Sequence, residues 1–170
     1  MSAGFNLILA VVVCLFLCAA AVASSKRRGD AWNYYHFDGS RFVAGQTTDG
    51  KGFVAVRDGA WPVILTHTAK IEAAILPAGT GVVAGICYVR TSGGKLTEGA
   101  GYLASPTMRL PISSNNGVVT TVQTDEQGYF TAVLPPGRYV VGDGPLAREV
   151  RVEKDQTSLI ALRVGKRMVD

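Results

Sequence analysis

Between Thr124 and Val141 the chain reads TDEQGYFTAVLPPGRYVV, and the punctuation of this stretch leaves little beyond β-structure open to it. Upstream, Thr120, Val122 and Thr124 alternate with Thr121 and Gln123, and β-branched residues at period two favour an extended, half-buried strand. Asp125 can accept hydrogen bonds from amides just downstream, and Gly128 can take a positive φ. Residues 125–128 therefore predict a short hairpin loop, a type I turn running into a glycine bulge. A second strand returns from Tyr129 to Leu134, with Phe130, Ala132 and Leu134 on one face and Tyr129, Thr131 and Val133 on the other. Pro135, Pro136 and Gly137 end it, because neither proline donates a ladder hydrogen bond and glycine enters conformations closed to other residues. A third strand follows from Arg138 to Val141.

The order T-D-x-x-G-x-F, then L-P-P-G-x-Y, resembles the carboxypeptidase regulatory-like domain, a seven-stranded transthyretin-like (prealbumin-like) antiparallel β-sandwich. The resemblance covers roughly residues 80 to 165. It implies that Asp125 and Gly128 form the hairpin loop, that Phe130 and Leu134 enter the core, and that Tyr139 starts the next core strand. The family's opening pattern, G-x-V-x-x-x-x-G-x-P-x-x-G-A-x-V, is matched from Gly85 through Ala100, with Leu96 where proline is common. Domains of this kind serve as folding partners, surface modules and binding modules, so the resemblance implies a fold and leaves the function open.

Ahead of that region, Phe5 to Ala23 holds only apolar and small residues apart from Asn6 and two cysteines, a run that will leave water for a membrane. Two fates compete for residues 1–23. One is a secretory signal ending Ala21-Val22-Ala23, an A-x-A pattern with Ser24 as the new terminus. The other is an uncleaved anchor. No Lys or Arg precedes the apolar run, and Lys26-Arg27-Arg28 follows it, which by the positive-inside tendency would hold the carboxyl side in the cytoplasm. Export, cleaved or anchored, is the expectation, to a periplasmic or extracellular location. Leu17 is too large to precede a lipidated Cys18.

Since no charged residue precedes Lys26, the whole net charge of +4 belongs to the rest of the chain. Its basic residues are scattered among acidic ones, with no basic helix or aromatic-basic ladder, and nucleic acid is not expected as a partner. Hydrophobic residues at 48% exclude disorder of the whole chain. Outside the apolar run Cys87 is alone, so it makes no internal bridge; within Val82 to Val89 it reads as a small buried side chain.

Residues 24–79 read as a small β-meander extension. WNYYHF, RFVAG, FVAVR and WPVILT alternate with turns at Asp38-Gly39-Ser40, Thr48 to Gly52 and Asp58-Gly59. These strands either add to the sandwich or form a separate lobe. Thr68 to Leu76 reads as a short helix, with a strand as the alternative. Gly81 opens the sandwich with strands at Val82–Val89 and Glu98–Ala104, then a polar loop from Pro106 to Asn116. Glu149 to Glu153 and Ser158 to Val164 complete it, and residues 166–170 form a basic tail. Arg28-Gly29-Asp30 spells an integrin-binding tripeptide but reads as coincidence beside its basic flank.

Chemistry is hard to find. His36 and His67 have no metal-ligand spacing around them, and there is neither a G-x-S-x-G elbow nor a phosphate loop. Asp125 and Glu126 are adjacent and diverge on a strand, which leaves a calcium ion at that loop as the weaker reading. Transthyretin-related enzymes of purine breakdown rely on placed histidine and arginine and a terminal Tyr-Arg-Gly-Ser, whereas this chain ends Arg167-Met168-Val169-Asp170. No enzyme, cofactor or metal is expected. Two functions remain: a structural or protein-interaction module of the cell envelope, self-assembling or bound to an envelope protein, and a carbohydrate- or peptidoglycan-binding module stacking sugars on Trp32, Tyr34, Tyr35 and Trp61.

Overall fold

A sheet buried on both faces forms the middle of the molecule. The computed structural model describes residues 31–47, 50–66, 71–93 and 101–169. The apolar run 1–23, Lys26-Arg27-Arg28, the Arg28-Gly29-Asp30 tripeptide, His67 and the loop 94–100 lie outside them. Among the described residues the chain is mainly β, with one 3-10 turn at Gly144–Leu146, and no helix is long and apolar enough to cross a membrane.

Strand β5 (Gly81–Gly93) runs through the middle sheet. Its sequence GVVAGICYV is continuously apolar because both of its faces are covered, the pattern expected of a strand with no solvent side. Along one edge β5 pairs with β12 (Thr157–Val169), in parallel. Along the other it pairs antiparallel with β9 (Tyr129–Leu134) over its first half and β6 (Gly101–Ala104) over its second. The two short strands meet at Cys87, whose amide donates to the Gly128 carbonyl and whose carbonyl accepts from the Ser105 amide.

On one face of this middle sheet lies an outer sheet in the order β11 (Arg148–Val152), β10 (Gly137–Val141), β7 (Arg109–Ser114), β8 (Gly117–Gln123). Val83, Cys87, Phe130, Leu134 and Leu162 pack there against Leu110, Ile112, Tyr139, Val141 and Val152. The other face receives the meander, a four-stranded sheet in the order β2 (Phe42–Ala44), β1 (Asn33–Phe37), β3 (Phe53–Val56), β4 (Val63–Leu65). Phe37, Val54 and Val56 pack there on Ala84, Ile86, Tyr88 and Tyr129. Residues 32–170 thus make one unit of three layers.

Several expectations are corrected. The strands flanking Asp125 to Gly128 do not pair as a hairpin: β8 pairs with β7 in the outer sheet, whereas β9 pairs with β5 in the middle one. The turn is built as expected, but its two arms enter different layers. Residues 71–76 are not helical. Ile75 forms an antiparallel bridge with Ala60, the Trp61 amide donates to the Ala74 carbonyl and the Leu76 amide to the Gly59 carbonyl. An extended course lets Ile71 and Leu76 reach the protein interior from an edge position, which outweighs a weak helical preference. The polar loop expected at 106–116 contains β7, with Leu110 and Ile112 buried by period-two alternation that the proline and serines disguise. Among the described residues the sandwich region carries eight strands, β5 to β12, and the β5–β12 pair is parallel, not antiparallel. Finally, β12 continues through the segment read as a basic tail as far as Val169.

Candidate interaction surfaces

The Asp125 loop is a structural device. Asp125 Oδ1 accepts from the Gln127 amide at 2.9 Å and the Tyr129 amide at 2.8 Å, and Gly128 sits at φ +79°. A Cβ on Gly128 would come within 2.7 Å of the Cys87 carbonyl oxygen, so glycine is required twice over. Phe130 and Leu134 are buried in the core. Pro135 and Pro136 stand exposed after β9, and the Pro135 carbonyl accepts from Tyr139 Oη at 2.9 Å, which with Gly137 fixes the return into β10. Thr124 is the buried polar residue of this region. Its hydroxyl donates to the Ser105 carbonyl and accepts from the Met108 amide, both at 2.8 Å.

The four aromatic candidates do not form one platform. Tyr35 turns toward the middle sheet and packs with the Phe37 cluster, while Trp32 and Tyr34 lie on the opposite face of the meander, packed against the buried Phe53 and Leu65. Tyr34 meets Phe53 edge-on, with centroids 5.9 Å apart, and the Arg57 guanidinium lies 5.0 Å from the Trp32 ring. Trp61 is half-buried at the bridge to residue 75.

Two residues not singled out by sequence reasoning define a cleft. Lys51 Nζ lies 5.3 Å from the Tyr102 ring centroid, and the cleft between them, about 330 Å³, is also lined by Gly52, Gln127 and Tyr129. Tyr102 packs edge-on against Phe37. Burial, and secondarily the Asp38 carboxylate, raise its phenol above the usual range. The signal available in the sequence was a lone aromatic in the glycine-rich run GAGYLA. Asp38 itself is held below the usual carboxylate range by the Arg41 amide, then the Ser40 amide and hydroxyl, all reaching Oδ1, and this pins the β1–β2 turn. His36 Nδ1 donates to the Gly45 carbonyl at 3.0 Å. Among the described residues no group of three His, Cys, Asp or Glu side chains could hold a metal ion.

What the sheets leave available is their edges. The outer sheet ends in β8 on one side and β11 on the other, the meander ends in β2 and β4, and the middle sheet has β12 along one edge and β6 with β9 along the other. Along β8, Val118 and Val119 are 65% and 49% exposed, an unusual pair of consecutive uncovered hydrophobics.

No family model matches the chain, and no curated protein matches it. Among solved structures it is similar to GBS52, the minor pilin in the gram-positive pathogen Streptococcus agalactiae, at 13% identity and a TM-score of 0.42. The match covers 76% of this chain and 66% of that one, just under two thirds of its length.

Proposed function

We propose that this chain is a non-catalytic structural or protein-interaction module of the cell envelope, built on a β-sandwich of the carboxypeptidase regulatory-like kind and exported to, or anchored at, the outside of the membrane. One observation carries the reading. Tyrosine hydroxyls aside, Thr124 is the buried polar residue among those described, and both of its hydrogen bonds hold backbone. The described interior is packed mainly with apolar side chains, and the strand edges around it, β8 above all, are the surfaces that support an interaction role. The apolar run 5–23 supports placement at a membrane, either as a signal removed before Ser24 or as a retained anchor.

Crosslinking in the membranes of cells that make the protein tests this reading, combined with mass spectrometry of its amino terminus. A covalent complex with itself or with an envelope protein, and a first residue of Ser24 or a membrane-retained Met1, are the expected results. A monomer without partners in those membranes would remove the assembly role. A second reading, glycan binding, rests on Trp32 and Tyr34, both half-buried, lying on one face of the meander. It predicts quenching or a shift of tryptophan emission on titration with soluble peptidoglycan fragments, lost in Trp32→Ala.

A further inference from the structure

Sheet edges are ordinarily protected by charge, shortness or proline, since an edge presents unpaired amides and carbonyls to any passing strand. Most edges of this molecule follow that rule. Strand β11 carries Arg148, Glu149 and Arg151, and residues 157–165 of β12 are buried or half-buried and include Arg163. Strands β2 and β4 are three residues each. On the remaining edge of the middle sheet, the residues of β9 are buried or half-buried and β6 spans four residues.

Strand β8 breaks the rule. Its seven residues, GVVTTVQ, include no charge and no proline, the five from Val118 to Val122 are all β-branched valine or threonine, and the strand lies at the sheet margin paired only with β7. A bulge at Val119, where Ile112 faces Thr120 but Ser113 faces Val118, confines the irregularity to the turn end. From Thr120 onward the strand is regular, with Thr121 and Gln123 facing solvent and Thr120 and Val122 facing the core side.

We propose that β8 is the assembly edge and that its occupant is β8 of a second copy of this chain, antiparallel and in the symmetric register centred on Thr121. This deepens the envelope-module reading and rests on it. The choice of occupant follows from self-complementarity. A two-fold axis places the central residue opposite itself and the others in reciprocal pairs, so a charge at the centre would meet its like, and this uncharged strand meets no such repulsion in any pair. In this register Thr121 faces Thr121 of the second copy, Thr120 faces Val122, and Val119 faces Gln123. Each is a neutral pair, and threonine opposite threonine is favourable in sheets. The two outer sheets then join as one, with four strands from each copy, and Val119 leaves water.

Thr121→Cys in the full chain, with Cys14 and Cys18 replaced by alanine, tests the register directly. Mild oxidation in intact membranes is expected to give a disulfide-linked homodimer. Val140→Cys, exposed on the same outer face but inside the sheet on β10, is expected to give none. Thr121→Lys sets two ammonium groups opposite each other and is expected to weaken self-association about tenfold or more, with an unchanged circular dichroism spectrum and unfolding midpoint. Equal crosslinking of the two cysteine variants, or undiminished association of Thr121→Lys, would overturn the proposal. If the native protein crosslinks to a different envelope protein while Thr121→Cys yields no homodimer, the envelope role stands and the β8 pair fails. If the native protein crosslinks to nothing, both fail.

Discussion

Phe130 lies directly across from Gly85 in the β9–β5 ladder, and its ring occupies the space a side chain on Gly85 would need. A Cβ built there would lie 2.6 Å from Phe130 Cζ and 2.6 Å from the Ile160 carbonyl oxygen. One contact is with an aromatic locked in the core and the other with the backbone of β12, so neither side can yield cheaply. Gly85→Ala is therefore expected to cost about 1–3 kcal/mol by overpacking, read as a lower urea midpoint at unchanged slope. An unchanged midpoint would mean that the ring and β12 move apart more freely than their burial implies.

Asp125 acts on backbone alone. Its carboxylate holds the Gln127 and Tyr129 amides, the second of them at the first residue of β9. Removing an ionised acceptor from such amides costs about 1.5–3 kcal/mol where they are buried and less where water can replace it. Asp125→Ala is expected near 1–2 kcal/mol in chemical denaturation, and Asp125→Asn nearer to the native protein, because an amide oxygen can still accept both bonds. Equal losses in the two variants would mean that negative charge matters more than geometry.

Much of the middle and outer layers was legible because their signals are local. The alternation of Phe130, Ala132 and Leu134, the stop at Pro135-Pro136-Gly137 and the burial of Tyr139 follow from neighbours in sequence, and each stands where its pattern predicts. Pairing is decided at long range. Nothing within Thr124 to Gly128 records that β8 and β9 belong to different sheets, since a tight turn of that composition also closes ordinary hairpins. Residues 71–76 depart from the helical expectation for a related reason: the edge bridge between Ile75 and Ala60, fifteen residues earlier, outweighs what the local spacing suggests. Tyr34 and Tyr35 are adjacent and so must point to opposite faces of β1, which period two does dictate. The composition of WNYYHF alone hid that separation.

Tyr129 ties the meander to the middle sheet. Its hydroxyl donates to the buried Gly52 carbonyl at 2.7 Å, across 77 residues of sequence, and its ring lies 6.4 Å from that of Phe42. Tyr129→Phe keeps the ring and removes the donor, leaving Gly52 without it at a cost of about 1–3 kcal/mol. The loss should fall on the meander first. Hydrogen exchange is expected to speed up in β2 and β3 more than in β10, and a uniform change across all three layers would argue against a tie specific to the meander.

Cys87 and Tyr129 set the behaviour at high pH. Burial pushes the Cys87 thiol from its ordinary 9.0 up to about 12, and burial, with smaller contributions from Tyr102 and Asp125, raises the Tyr129 phenol as well. For each group the folded protein binds the proton more tightly than the unfolded chain. The resulting stabilisation is complete below the unfolded value and is lost as pH rises toward the folded one. Unfolding free energy is thus expected to fall between about pH 9 and pH 12. Cys87→Ala, although less stable overall from the lost volume, should show a shallower fall over that range. In the native protein below pH 9 the same burial predicts that Cys87 reacts with iodoacetamide only as fast as the fold opens, so alkylation should accelerate with urea in step with unfolding. Rapid labelling of Cys87 in the folded protein would place the thiol outside the core and remove its share of the pH dependence.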